Sequence, residues 1–435
     1  VLASGAATGD ILEVVAYTTF DTANVTASSG FTVTGNVSVD GGTIKLDGNY
    51  PVGTGNVALG DNALVDSSLS GGYNTAIGQE ALNSNTSGSV NTAIGNGALY
   101  LNTTGASNIS VGSNSLADNT TGGSNVAVGR DALGNNTTAS ANTAVGYQAG
   151  YSNTTGTENT FIGGAAGDAI TTSNANTALG YLSLSAETSS NGNTAIGAEA
   201  LKNQNVGGSG DARNTAVGLL AGANVSTGIQ NTLIGALAGD AITTASNNTA
   251  VGYQSLSANT TGTANTAIGR NSLQANTTAD DNTASGMYSL YTNTTGASNT
   301  AHGRSALFSN TTGSSNVSVG AQALENNTTA SGNVAIGDNA LRAYQTGGDN
   351  VVIGRNAGYT LNGNGNCTFL GRGSGFDTTG GNNTFVGYSS GSGVTSGAKN
   401  TIVGLYNGNQ GGLDIRTSSN HIVLSDGDGN PRMQF

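Results

Sequence analysis

One pentapeptide, Asn-Thr-Ala-Ile-Gly, returns along this chain with close variants at a nearly constant interval, and that constancy restricts the fold more than any other feature. Its Gly can be followed from Gly60 through Gly78, Gly95 and Gly112 to Gly197, then from Gly218 through Gly235 to Gly404, giving 21 units. The interval is 17 residues almost throughout, with one of 18 (Gly60 to Gly78), one of 21 (Gly197 to Gly218) and one of 16 (Gly371 to Gly387). Self-similarity at a short fixed period means one structural unit stacked on copies of itself, each too small to bury enough apolar surface alone.

With the motif Gly at position zero, the working consensus is N-T-A-I-G-x-x-A-L-x-x-N-T-T-G-x-x. A unit of 17 residues is short for helical repeats and lacks the pattern of leucine-rich repeats. The Asn, Thr and Gly between its apolar positions also disfavour helix. A coil of β-structure fits: Thr75 and Ile77 point one way and Ala76 the other, Gly78 ends the short strand, Ala81-Leu82 opens a second apolar segment, and Asn85-Thr86-Ser87-Gly88 has turn chemistry. The fold class expected is therefore all-β, a parallel β-solenoid or β-roll of about 21 coils with a 17-residue repeat. At ~4.8 Å per rung it would be a rod on the order of 100 Å long.

Composition agrees and excludes other classes. Gly is 70 of 435 residues while Pro is 2, Trp 0 and charged residues 9%, which suits neither a compact enzyme nor a charge-rich disordered chain. No Gly-X-Y period makes it collagen. Twelve Lys+Arg against 25 Asp+Glu leave a net charge of −13 and no basic footprint for nucleic acid or an anionic membrane surface. No run of 18 apolar residues exists, so membrane insertion is not expected. The single Cys367 cannot form an intrachain disulfide.

A correlation inside the repeat concerns packing. Position −2 is usually Ala or Ser and position +4 is then usually Leu, as in Ala76 with Leu82 or Ala93 with Leu99. Where −2 is large, +4 is Gly: Phe161 with Gly167, Leu233 with Gly239, Val352 with Gly358, Phe369 with Gly375, Phe385 with Gly391 and Ile402 with Gly408. Two coils, Ala144/Gly150 and Ala216/Gly222, lack both large groups, and each immediately precedes a coil that carries one. Constant volume is what close packing requires, so −2 and +4 are expected to share one space, in the coil interior or at an interface with another chain. The −1 aliphatics, Ile77, Ile94, Val111, Val128, Val145 and Ile162 among them, lie on the opposite strand face and are expected to be core positions too. A thin rod with two apolar faces calls for burial against copies of itself, an intertwined or side-by-side homotrimer.

Residues 163–172 recur as 235–244, a segmental duplication 72 residues apart, and the extra residues at 202–211 are expected to bulge as a surface loop. The expected organisation is a β-rich module and connector over 1–50, the rod over 51–410, and a C-terminal β segment over 411–435 that precedes a missing or cleaved C-terminal domain. The opening Val1, without Met or signal peptide, is read as an internal start.

Val334-Ala-Ile-Gly337 and its variants resemble the repeats in the YadA-like head of trimeric autotransporter adhesins, with a longer unit than is usual there. The long arrays, preceded by Ala3-Ser-Gly-Ala-Ala-Thr-Gly-Asp-Ile-Leu-Glu-Val-Val-Ala-Tyr17, look more like fibre proteins of tailed phages, notably those of marine cyanobacteria. Ser425-Asp-Gly-Asp-Gly-Asn-Pro-Arg432 is similar to segments that precede a self-cleaving trimerisation chaperone in such fibres. The resemblance implies a structural fibre of the virion, a tail fibre or similar appendage, giving reach and host-surface attachment. Its partners would be copies of itself, other virion proteins at one end, and a host glycan or protein receptor. The alternative is an adhesin head or stalk on a bacterial surface. An ice-binding solenoid is a third reading, drawn from the partial Thr file of Thr75, Thr92, Thr143, Thr160 and Thr177, which Ile109 and Val126 interrupt.

No catalytic constellation, cofactor motif or metal-ligand spacing is read, and no enzymatic activity is expected. His302 replaces a −1 aliphatic beside Ser285 of the preceding coil and reads as a polar step in the rod rather than a ligand. Cys367 reads as a packed small residue. Asp426-Gly-Asp428-Gly-Asn430 reads as a turn, lacking the later Glu of a calcium loop. Position +1 varies among Arg130, Tyr147, Tyr181, Tyr253, Arg270, Met287, Arg304, Arg355, Arg372 and Tyr388, as on an exposed ridge where a Tyr stacking on a sugar is a minor reading against ordinary surface variation.

Overall fold

The computed structural model describes residues 54–434 except 67 and 209. The β module expected over 1–50 lies outside the described residues. The repeats belong to one compact unit, Asp47–Phe435. The repeat region is an all-β parallel solenoid, without helix among the described residues.

Each motif forms a strand of three residues, from β1 (Val57–Leu59) and β2 (Thr75–Ile77) to β21 (Thr401–Val403). Every strand pairs in parallel with the next and in exact repeat register, Thr75↔Thr92, Ala76↔Ala93 and Ile77↔Ile94 being typical. Strand alternation then sends −2 inward: Ala76, Ala93 and Phe161 are fully buried while their strand neighbours are half-buried or exposed. Where −2 is Ser, its hydroxyl donates to the +3 carbonyl of its own coil, Ser110 to Ser115 O at 2.8 Å and Ser318 to Ala323 O at 2.7 Å.

The motif Gly is required twice over. Gly78 has φ +132°, and a Cβ there would lie 2.5 Å from the carbonyl oxygen of Gly95 in the next coil. The same contact repeats from Gly95 to Gly112, so these glycines form a column in which backbones stack directly. The second apolar segment, opened by Ala81 and Leu82, is a tight corner. Glu80, Leu82 and Val90 all have left-handed φ near 50–60°, and the equivalent residues of the other coils do the same. Such a conformation costs an L-residue roughly 1–2 kcal/mol. It persists because each corner is held by its neighbours: Leu82 N–H donates to Ala98 O at 3.0 Å and Glu80 N–H to Asp61 O at 2.8 Å.

Two buried asparagine files run along the rod. At −4, the Asn91 Oδ1 accepts the backbone N–H of Asn108 at 3.0 Å while its Nδ2 donates to Gly105 O at 2.9 Å. At +7, Asn102 Nδ2 donates to Asn85 Oδ1 at 2.8 Å and to the same Gly105 carbonyl at 3.0 Å. Beside them Thr103 Oγ1 donates to Thr120 O at 3.0 Å, one step of a threonine file at +8. The Asn-Thr-Thr-Gly corner is therefore a hydrogen-bonded ladder that satisfies polar groups inside a thin rod. Where the +7 file stops, an acceptor is orphaned: Ile170 follows Asn153 and Tyr344 follows Asn327, and both Asn153 Oδ1 and Asn327 Oδ1 are buried without a donor.

The C-terminal segment continues the stack rather than leaving it. After a short hairpin of β22 (Asn409–Gln410) and β23 (Leu413–Asp414), β24 (Ile422–Ser425) pairs in parallel with β21, Ile402↔Val423. His421 stands in the −4 column, its N–H donating to Asn400 Oδ1 at 2.9 Å. Ser425 takes the place of the motif Gly in this further rung. β25 (Pro431–Gln434) then folds back antiparallel on β24 and pairs the edge that would otherwise end the sheet. The turn between them is an Asx turn, with Asp426 Oδ1 accepting the N–H groups of Asp428 at 3.0 Å and Asn430 at 2.9 Å.

Candidate interaction surfaces

The coil interior is packing. Leu82, Leu99, Phe161, Leu233, Phe369 and Phe385 are fully buried in one continuous core. A Cβ on Gly167 would sit 2.5 Å from the Phe161 ring, one on Gly239 2.8 Å from Leu233, one on Gly375 2.6 Å from Phe369 and one on Gly391 2.5 Å from Phe385. The −2 and +4 positions of these coils thus share one space, and it is inside the coil. The same side chains reach into the preceding coil: a Cβ on Gly150 would strike the Phe161 ring, and one on Gly222 would lie 2.6 Å from Leu233. Two of the six correlated pairs differ. Gly358 faces Leu341 at 3.1 Å and Phe369 at 3.2 Å rather than Val352, and Gly408 faces Val394 at 3.0 Å rather than Ile402.

The −1 aliphatics are corrected in place. Ile77, Ile94, Val111, Val128, Val145 and Ile162 are not part of the interior cluster but line the outside of the sheet. The reason is the pleat: a three-residue strand that turns its middle residue inward must turn both flanking residues outward. Ile94 is 38% exposed and Ile268 44%. With the −3 file of Thr, Val and Ile beside it, this face is a strip of mostly β-branched side chains along the rod, its −1 aliphatics interrupted by Ser285 and the exposed His302 on adjacent rungs.

A second surface carries positions +1, +2 and +5. It varies from rung to rung, and on some successive coils Arg and aromatic side chains meet. Arg130 lies over the ring of Tyr147 at 4.7 Å, Tyr291 stacks on Phe308 at 5.0 Å with Tyr288 edge-on at 5.4 Å, and Tyr359 stacks on Phe376 at 5.1 Å. The rung spacing matches ring stacking, so aromatics at one position of successive coils meet face to face. Near the C-terminal end a groove of about 320 Å³ opens on this surface, lined by residues that include Arg355, Arg372, Phe376, Tyr388 and Ser392.

The sequence reading missed one buried charge. Glu187 stands in the +7 asparagine column and is fully buried. Its Oε1 accepts the backbone N–H groups of Thr188, Ser189 and Ser190 at 2.8–2.9 Å, and its Oε2 accepts Gln204 Nε2 at 3.1 Å. Gln204 Oε1 in turn accepts Asn214 Nδ2 at 2.9 Å. Burial works to raise the Glu187 pKa, but these donors together hold it below the ordinary glutamate value. The signal was available: Glu187 and Gln204 replace Asn in two consecutive units, beside the 21-residue interval. The residues after Gln204 do bulge outward, with Gly207, Gly208 and Asp211 exposed.

Cys367 occupies the −4 asparagine column, buried, its N–H donating to Asn350 Oδ1 at 2.9 Å; burial pushes its thiol pKa up, away from reactivity. Among the described residues no group of His, Cys, Asp and Glu is placed to hold a metal ion, and no helix is long and apolar enough to cross a membrane. No family model and no curated protein matches the chain.

Proposed function

We propose that this chain is the shaft of a structural fibre of a phage virion, assembled as a homotrimer, that supplies reach and host-surface attachment without enzymatic activity. The observation that carries the reading is the outward β-branched strip of the sheet. Its length is about 100 Å and its width on the order of 10 Å, so its area is on the order of 1,000 Å². Aliphatic at −1 and mostly Thr at −3, it matches in size the roughly 800 Å² each partner gives to a stable interface. A strip that repeats in the same register from rung to rung is complementary to copies of itself. Parallel rungs held by the buried Asn and Thr files give stiffness, and several identical chains give avidity at a surface. Resemblance of the motif to fibre and adhesin repeats supports the same reading.

Sedimentation equilibrium of the full chain tests it. A trimer that becomes monomeric on introducing Lys at Ile94, Ile268 and Ile336 is expected; a wild-type chain that is monomeric at micromolar concentration overturns it. The ten consecutive rungs with Thr at −3, Thr143 to Thr300, favour ice binding as a second reading. The adjacent −1 file is aliphatic where a second Thr rank would be wanted, and clear thermal hysteresis would decide for it.

A further inference from the structure

The aromatic file at +5 ends abruptly. Tyr359 and Phe376 stack at 5.1 Å with planes 8° apart, and the next +5 residue is Ser392, followed by Gly393. The far face of the Phe376 ring is therefore left without the ring that the rung spacing would place on it. The groove of about 320 Å³ opens at this vacancy. Its walls come from successive rungs tied by backbone hydrogen bonds: Gly373 N–H to Arg355 O at 3.0 Å, Ser389 N–H to Arg372 O at 2.9 Å, Asp377 N–H to Ser392 O at 3.0 Å and Gly393 N–H to Asn407 O at 2.8 Å.

On one side of the vacancy Arg355 and Arg372 stand at +1 of adjacent coils, both exposed, one rung apart. Neither makes an ion pair among the described residues, whereas Arg130 and Arg342 on the same surface pair with Asp131 and Glu325. Arg270 and Arg304, also at +1, likewise make no ion pair among the described residues, but only Arg355 and Arg372 stand on adjacent rungs. Arg372 also lies over the Tyr388 ring at 5.7 Å, which holds it toward the groove. Hydroxyl, amide and carboxylate groups of Ser389, Asn356 and Asp377 complete the lining.

We propose that this groove binds an acidic sugar, a pyranose carrying a carboxylate, whose ring takes the vacant place in the aromatic file against Phe376 while Arg355 and Arg372 hold the carboxylate. The volume admits one or two saccharide units. An aromatic face suits the C–H face of a pyranose, and a pair of guanidinium groups suits a planar carboxylate in fork geometry. Asp377 accepts hydroxyl hydrogens of the sugar, and the aromatic face of Phe376 favours a pyranose over a free anion. The inference deepens the attachment part of the proposed function and rests on that reading only for its biological setting; the site itself needs one rod.

Titration calorimetry and saturation-transfer NMR of the full chain with trigalacturonic acid, neutral galactotriose and inorganic sulfate test it. Trigalacturonic acid should bind, and Arg355→Gln with Arg372→Gln should weaken it by about 10-fold or more, while Arg130→Gln leaves it unchanged. Ser392→Phe, which fills the vacancy with the missing ring, should abolish binding without lowering the melting temperature. Phe376→Ala should remove saturation transfer to the ring protons. No binding of trigalacturonic acid, equal binding of the neutral trimer, binding of sulfate alone, or undiminished binding by the Arg or Ser392→Phe variants overturns the proposal. Sedimentation reads assembly separately: a trimer that fails to bind removes this inference alone, and a monomer that binds removes only the fibre reading.

Discussion

The ring of Phe161 fills the place that a side chain at Gly167 would take, 2.5 Å from the would-be Cβ, and it also presses on Gly150 of the coil before. One large −2 residue therefore excludes two +4 side chains, its own and the preceding one. Most other coils carry Leu at +4 with φ near 50°, so Leu at 167 would meet no backbone obstacle beyond the usual one. Gly167→Leu should destabilise by about 1–3 kcal/mol through overpacking alone. Adding Phe161→Ala should recover most of it in denaturant unfolding; no recovery would remove the shared-volume account.

The converse substitution needs three changes. Ala93→Phe alone should overpack against Leu99 in its own coil and Leu82 in the one before. Leu99→Gly alone should rescue it only in part, and Leu99→Gly with Leu82→Gly should restore stability to within about 1 kcal/mol of wild type. A double mutant as stable as the triple would show that the reach into the preceding coil is unimportant.

Gly78→Ala should be far worse than Gly97→Ala. At Gly78 the new Cβ meets a backbone carbonyl 2.5 Å away at φ +132°, and nothing there can give without moving the next coil. At Gly97 the obstacle is the Asn114 Oδ1, a side-chain end, at 2.8 Å and φ +65°. A loss above about 4 kcal/mol is expected at Gly78 and about 1 kcal/mol at Gly97, measured by thermal unfolding.

The buried asparagines should differ by position. Asn119→Ala strips a donor from Asn102 Oδ1 and an acceptor from Asn136 Nδ2, partners at 2.8 Å on either side. Leaving the Asn102 acceptor without its ladder donor is expected to cost about 1–3 kcal/mol. Asn153→Ala should cost less, because its Oδ1 already lacks a partner. Equal losses would mean that the ladder has no cooperative value.

Acid should act with opposite signs at different carboxylates. Glu187 has a folded pKa held below its ordinary value of 4.5, so its contribution is fully present above that value and disappears as pH falls through the lower, folded one. Asp168 and Asp240, equivalent residues of the duplicated segments, have pKa values raised above 3.8, chiefly by burial. Their ionised forms oppose folding at neutral pH, and that penalty is relieved as pH drops through the raised values. Asp168→Asn and Asp240→Asn should therefore raise the melting temperature at pH 7 and not at pH 3, while Glu187→Gln should lower it at pH 7. Melting curves across that range check both signs.

The sequence by itself determined the rung. A Gly that recurs every 17 residues, an alternating tripeptide before it and turn residues after it leave stacked parallel β-coils as the economical fold, and the inverse sizes of Phe161 and Gly167 or Phe385 and Gly391 point to one shared space, inside the coil or between chains. What the tertiary structure decided depends on which neighbours the coil brings together. Whether −2 or −1 faces inward is not contained in the alternation, because Ala76 and Ile77 are both apolar; the corner, which leaves interior room only for a small residue opposite Leu82, settled it. The second Asn file and the Glu187–Gln204 contact each join residues 17 positions apart, and the groove beside Phe376 is lined from successive rungs. The further rung of β24 carries Ser425 where the other rungs carry the marker Gly, and β25 pairs with it antiparallel. Periodicity names the unit, whereas side-chain direction, ladder ends and vacancies exist only once the units are stacked.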